Sequence, residues 1–453
     1  MAGRNSNPEQ SSFLTENWAK LYFAVAIALL LFGYGVAVGM YQVFPYQPIR
    51  NAISAAADWN ENAEHYARIK PDKHLRPERG PGSELNRYDE AKALDGVTLL
   101  SGMWGESLGV KLVGMDGNLL HEWLVSFNDI WPDAPHLELQ PHDWDTNIHG
   151  LFAYPDGDLV LNFEHDGLVR IDRCARVQWQ LPELAHHFVT QAPDGNLWVG
   201  GEVHHKKKDA RFNRIEAPFA EDFLLEVSPE GEVLRRISVL ELFYNSGLEG
   251  LLLASTQSTG GIWKGTVVSR GPDITHLNDL DILSAEDAAA FEAFSAGDIL
   301  LSLRNLHMLL VFDPATEIIK WYKLGPWLMQ HDPDFLSDGK IMVFDNRARK
   351  TVDGKVYGSR ILELDPVSRD VEVIYSGSDE DLFFTSQMGK SQPLSNGNVL
   401  IAEPDGGRAF EVDRDGAIVW EYINRWSEEQ VAVITEAVRL PGDYFNISQE
   451  SCN

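Results

Sequence analysis

The sequence predicts an all-β fold: a six-bladed β-propeller whose N- and C-terminal strands close one blade, preceded by one N-terminal transmembrane helix. Three observations carry this expectation. From residue 97 onward, short runs of Val, Ile, Leu, Phe and Trp alternate with Asp-Gly, Asn-Gly and Glu-Gly turns, as hairpins in series do. A unit of His, six residues, Asp-Gly and further apolar strands recurs along the chain, and such periods mark propellers. Ahead of the repeats, Leu21 to Met40 carry no charge, and a membrane-spanning helix needs ~20 such residues.

In chain order, residues 1–20 are a short tail and 21–44 the anchor that holds the protein to a membrane. A cleaved signal peptide has a basic start and a shorter apolar run. Here the preceding segment is long and nearly neutral, which favours an uncleaved anchor. Arg4 and Lys20 before it and Arg50 after it orient it poorly. Gly35 and Gly39 have the spacing with which a partner helix packs. Residues 45–96 read as a polar, helix-compatible linker, 97–447 as the propeller, and 448–453 as a C-terminal tail.

Within the propeller, the repeat runs from His149 to Asp156-Gly157, with Trp179 following, and from His187 to Asp194-Gly195. A stretched copy starts at His276 and turns at Gly297-Asp298, with Trp321. Another runs from His331 to Asp338-Gly339; the next turns at Asn396-Gly397, with Trp420, and has Gly389 where the histidine would be. The sixth blade is split. Residues 97–124 supply three strands, with Trp123 on the last, and Val431 to Leu440 return as the missing inner strand, which hides the open edges. The repeated tryptophans read as packing between blades. Ser284 to Phe294 reads as a short helix, with Ser284 and Asp287 in capping-box spacing.

The first strand of each propeller blade lines the channel, and the antiparallel second strand returns to the same face. Glu164, Glu202, Arg304 and Asn346 each lie seven residues past a turn glycine. They are therefore expected to share one mouth with His149, His187, His276 and His331. Two loops on that face are basic, one with Lys206, Lys207, Lys208, Arg211 and Arg214, the other with Arg347, Arg349, Lys350 and Lys355. On a chain of net charge −30 such loops suit an anionic ligand. The same acidity excludes general nucleic-acid binding, and no Walker-type glycine loop is present. The two cysteines, Cys174 and Cys452, form neither a metal motif nor a disulfide framework. One long-range bridge between them stays open, with Cys174 reading first as an ordinary turn or strand residue.

The motifs His186-His187-Phe188 before Pro193-Asp194-Gly195-Asn196, Thr275-His276-Leu277-Asn278-Asp279, Ser302-Leu303-Arg304-Asn305, Gln330-His331-Asp332 and Thr435-Glu436-Ala437-Val438-Arg439 occur in this order. In them, and over about residues 97–445, the chain resembles the bacterial arylsulfotransferases that work without a nucleotide sulfate donor. The resemblance implies a six-bladed propeller, without cofactor or metal, that moves a sulfuryl group from an aryl sulfate to a phenol. It places the transiently sulfated nucleophile at His331, and donors to the sulfuryl oxygens at His187, His276, Asn278 and Arg304. His149, Glu164, Glu202 and Asn346 would line the substrate mouth. The family's usual compartment implies a single-pass inner-membrane protein with its propeller in the periplasm. The residue types suit the chemistry by themselves: a neutral imidazole is a nucleophile near neutral pH, and Arg or His can stabilise equatorial oxygens. The chain departs from the family in lacking a close cysteine pair, in lacking the histidine of blade six, and in adding His149.

Two other readings stand beside this one. Four histidines around a propeller axis can hold Fe(II), as in the seven-bladed carotenoid-cleaving oxygenases, with Glu164 and Glu202 as ligands or their partners. Arg304 in the same ring opposes a cation. Alternatively, a propeller on one membrane helix could be a non-enzymatic subunit of a membrane complex.

Overall fold

The computed structural model describes residues 8–41, 43–46, 48–49, 52–53, 70–80, 82, 84–253, 273–347, 358–378, 381–446 and 452. The chain divides into two units, residues 1–69 and 70–453. In the first, an α-helix spans Pro8–Tyr41, and its part Trp18–Tyr41 is long and apolar enough to cross a membrane. Apart from the half-buried Ala37 and Val38, the side chains of that part are exposed, and there is open space beside Gly35 and Gly39.

The second unit is a ring of six antiparallel sheets. Blade one is Ile434–Leu440, Val97–Trp104, Ser107–Gly114 and Leu119–Val125, from the axis outward. The late strand pairs with the early one (Ala437 opposite Leu100), so the ring is closed as predicted. Arg439 fastens the seam: both it and its partner Glu411 of blade six are buried, 2.9 Å apart, and its Nε donates to Thr98. The inner strands of blades two to six are Ile148–Ala153, Ala185–Gln191, Leu277–Ile282, His331–Phe335 and Lys390–Pro393.

The turn glycines explain why the repeat is so regular. Gly157, Gly195, Gly297, Gly339 and Gly397 have φ of 92°, 91°, 86°, 86° and 85°, a left-handed conformation that only glycine adopts without cost. The tryptophans pack between blades, as expected. Each donates its indole N–H to a carbonyl of the following blade: Trp123 to Gly157, Trp179 to Pro229, Trp321 to Pro366 and Trp420 to Met115.

Three expectations need adjustment. The described part of residues 70–96 is not helical linker. Leu75–Pro77 pairs with Gln430–Ala432, and Leu85–Tyr88 adds a fifth, outermost strand to blade six. Their alternation is too polar to signal strands in sequence. Between Ser284 and Phe294 the helix is one short 3₁₀ turn, Asp287–Ala290, with the Ser284 Oγ accepting the Asp287 N–H at 2.9 Å. Cys174, in the turn after Asp172, is bonded to Cys452, with Cα atoms 5.4 Å apart across 278 residues. The sequence left that bridge open because no local spacing pairs residues so distant.

Candidate active site

Each inner strand of blades two to five is bulged at its histidine end. The register slips between Ile148 and Leu151, His186 and Val189, Leu277 and Asp279, and His331 and Asp334. Bulges re-aim side chains. His187, His276 and Asp332 have φ of 64°, 51° and 49°, which costs about 1–3 kcal/mol for each non-glycine residue. The result is that His149, His187, His276 and His331 converge. The His187 ring centroid lies 4.5 Å from that of His149, 5.0 Å from His276 and 6.5 Å from His331. In blade six the place of the histidine is Gly389, where a Cβ would press on the Phe344 ring. The next residue, Lys390, reaches across to Asp279 and Asp332, 3.0 Å from each.

The blade-four and blade-five side holds His331, Asn346, Arg304, Asn278 and His276. His331 is buried, and its Nδ1 lies 2.7 Å from Asn346 Oδ1 and 3.1 Å from Met329 O. Asn346 Nδ2 donates to the carbonyls of Thr385 and Met388, which fixes its amide with the oxygen toward His331. Both neighbours of Nδ1 are thus acceptors, so Nδ1 carries the proton and Nε2 keeps its lone pair. Burial, and then the Arg304 guanidinium, push the His331 imidazole well below its usual range, so it is neutral near pH 7.

Among the described residues, the Arg304 guanidinium contacts only Asn305 Oδ1, at 3.5 Å, and Met329 Sδ, at 3.9 Å; its Nε has no hydrogen bond. Asn278 is buried and anchored by donating to Gln330 O at 2.7 Å. His276 Nδ1 is hydrogen-bonded to Asp273, whose other oxygen accepts the His276 backbone N–H at 3.0 Å. Burial alone would raise the Asp273 carboxyl, but the charge and hydrogen bond of His276 hold it below the usual carboxylate range.

The blade-two and blade-three side is carboxylate-rich. Glu164 Oε1 lies 3.3 Å from His149 Nδ1, 3.6 Å from His187 Nε2 and 3.9 Å from His165 Nε2. Burial alone would raise Glu164, yet His149, and after it His276 and His186, keep it below the usual range and ionised. Glu202 pairs with His204 and lies 3.7 Å from His165. His187 Nδ1 meets His186 Nδ1 at 2.9 Å, and His186 Nε2 faces Asp222 Oδ1 at 3.6 Å. Burial pushes His186 down to about 4 and His187 well below the usual range.

All nine predicted site residues lie at the bulged ends of neighbouring strands or beside them. Sequence reading missed Asp273, Asp222, His165 and His204 as members. They sit in turns or outside the repeat's register, where no period marks them. The first basic loop is less positive than expected. Lys206 pairs with Glu138, Lys208 with Glu216, and Arg211 with Asp209, Glu221 and Glu241. Of the second basic loop, Arg349, Lys350 and Lys355 lie outside the described residues. A pocket of about 220 Å³ opens beside Glu164 and His165, lined by Leu137, Leu139 and Leu184 and by the charged Glu138, Asp145, Asp166 and Lys206. Two groups have the spacing to hold a metal ion: His149, Glu164 and His187, and His205, Asp209 and Glu221.

The fold and mouth define a six-bladed propeller with a buried histidine cluster at one end of its axis. The model of the arylsulfotransferase (ASST) family matches residues 151–425, and the chain belongs to that family. No curated protein matches it. Among solved structures, a protein of unknown function from Bacteroides caccae is 16% identical, covering 72% of this chain and 94% of its own, with a TM-score of 0.45. Virginiamycin B lyase from Staphylococcus aureus is 10% identical over 62% of this chain and 71% of its own, with a TM-score of 0.36. Hydrazine synthase from Kuenenia stuttgartiensis is 11% identical over 68% and 71%, with a TM-score of 0.37. Likenesses this distant say nothing of this chain's chemistry.

Proposed function

We propose that this protein is a membrane-anchored sulfotransferase that carries a sulfuryl group from an aryl sulfate to a phenol on His331. The observation that supports it most is the pair of acceptors at His331 Nδ1, Asn346 Oδ1 and Met329 O, which leaves a neutral imidazole with its Nε2 lone pair available. In this reading Nε2 attacks sulfur, the bond from sulfur to the aryl oxygen breaks, and its electron pair leaves with that oxygen. His276, held by Asp273, gives the departing oxygen a proton from Nε2. The freed phenol leaves and an acceptor phenol enters. His276 takes the acceptor's proton, its oxygen attacks sulfur, and the N–S bond breaks to restore His331. Arg304, with donors still available, faces the sulfuryl oxygens where charge develops, together with Asn278.

The helix Trp18–Tyr41 would be the anchor in the inner membrane, with Gly35 and Gly39 open to a partner helix. The Cys174–Cys452 bridge favours an oxidising compartment for the propeller, such as the periplasm. Protease added to spheroplasts should then digest it, and full protection would reverse the orientation.

The central test is intact-mass analysis after brief exposure to a chromogenic aryl sulfate. Wild type should gain one sulfuryl group and His331→Asn none. An adduct that persists in His331→Asn and vanishes in a His276 variant would move the nucleophile to His276.

A further inference from the structure

The carboxylate-rich side of the mouth has an arrangement that sulfuryl transfer leaves unexplained. His149 Nδ1, Glu164 Oε1 and His187 Nε2 converge within 4.8 Å of one another on three buried residues. Two of the separations are 3.3 and 3.6 Å. A tetrahedral ion bound at about 2.0–2.1 Å by nitrogen and oxygen holds its ligands about 3.4 Å apart. Two of the three separations already match the edges of such a polyhedron.

The hydrogen bonding points the same way. Glu164 Oε2 is buried with no hydrogen-bond partner, and His149 Nδ1 has only its 3.3 Å approach to Glu164 Oε1, a costly state for buried polar atoms unless something binds them. His187 Nδ1 meets His186 Nδ1 at 2.9 Å, which holds the His187 ring with its Nε2 toward Glu164. A ligating histidine held through its other nitrogen is the usual support of a metal site. The second group with metal spacing differs: Arg211 already lies 2.9 Å from both Asp209 and Glu221 and supplies the cation. The Arg304 guanidinium meets Asn305 and Met329; it is near enough to feel the charge of Glu164, but no hydrogen bond joins the two.

We propose that His149, Glu164 and His187 bind one divalent transition-metal ion of the zinc type, with a coordination position left open to an oxygen ligand. Two imidazoles and a carboxylate are a donor set for zinc, cobalt or iron and unsuited to calcium or magnesium. The ion would neutralise Glu164, whose charge otherwise repels an anionic donor at this mouth. The proposal goes beyond sulfuryl transfer and does not depend on it.

The test is Co(II) binding to the full chain in mild detergent after treatment with a chelator. Wild type should bind one equivalent, show the visible bands of four- or five-coordinate cobalt, and release it to Zn(II). His149→Ala and Glu164→Gln should each weaken binding by at least about 100-fold, while His205→Ala should leave it unchanged. Near-equal melting temperatures of the metal-free proteins would show that the variants fold. Absence of the bands in wild type, or bands unaltered in both His149→Ala and Glu164→Gln, would overturn the site. Because the readout is cobalt absorption, its failure is separate from failure of the His331 adduct.

Discussion

The two sides of the mouth are built by the same repeat but hold opposite charge. At the position seven residues past the turn glycine, blades two and three carry Glu164 and Glu202, while blades four and five carry Arg304 and Asn346. Glu164 is surrounded by imidazoles at 3.3 to 3.9 Å, an environment that accepts a cation. Arg304 has no carboxylate partner among the described residues, and its charge helps keep His331 neutral. One geometry with two residue choices thus yields a seat for positive charge beside a seat for negative charge. The blade supplies position, and chemistry is decided by which side chain ends the second strand.

The largest expected effect tests whether group transfer belongs to the blade-five side. His331→Asn should lower turnover by at least about 10⁴-fold, as loss of a covalent nucleophile does, and circular dichroism should show it folded. A His331→Asn protein with measurable ping-pong turnover would break the comparison at once. Next, Arg304→Lys should cost about 10²- to 10³-fold, because an ammonium replaces a planar fork at developing charge. Near-normal kcat in this variant would mean that the cationic side is not an anion seat.

Asp273→Asn is expected to cost about 10²-fold. An amide in place of the carboxylate can turn its N–H toward His276 Nδ1 and so favour the wrong tautomer. The loss should shrink with aryl sulfates whose phenols leave readily and need no proton. A loss that is the same for good and poor leaving groups would assign Asp273 a purely structural role. The smallest effect concerns pH. His331 must be neutral to attack, and its pKa is pushed below the usual 6.5. Formation of the adduct should therefore fall as pH falls, with a midpoint below 6.5. Removing the charge in Arg304→Met should move that midpoint upward, as stopped-flow measurement of phenol release would show. A midpoint that stays put would separate the two residues electrostatically.

The blades and the mouth were legible because they follow a period. The turns require glycine at nearly the same φ in five blades, and Gly157, Gly195 and Gly339 fall at one distance from His149, His187 and His331. What escaped has no period. Asp273 reaches His276 from the turn ahead of its strand, and His165 sits in a turn at φ 62°. Leu85–Tyr88 is a strand only because blade six offers it an edge. Cys174 and Cys452 meet through the closed ring, which no local spacing encodes.

Ring closure also has a consequence in time. Thr435 hydrogen-bonds Ser101 across 334 residues of chain. At a synthesis rate of about 5–20 residues per second, the early strands of blade one wait on the order of tens of seconds for their inner neighbour. Throughout that interval Val97–Trp104, every residue of which is buried in the finished ring, presents an open edge on which other chains can add. Blade six meanwhile has no seam to join. A nascent chain released before residue 434 lacks the strand that closes the ring.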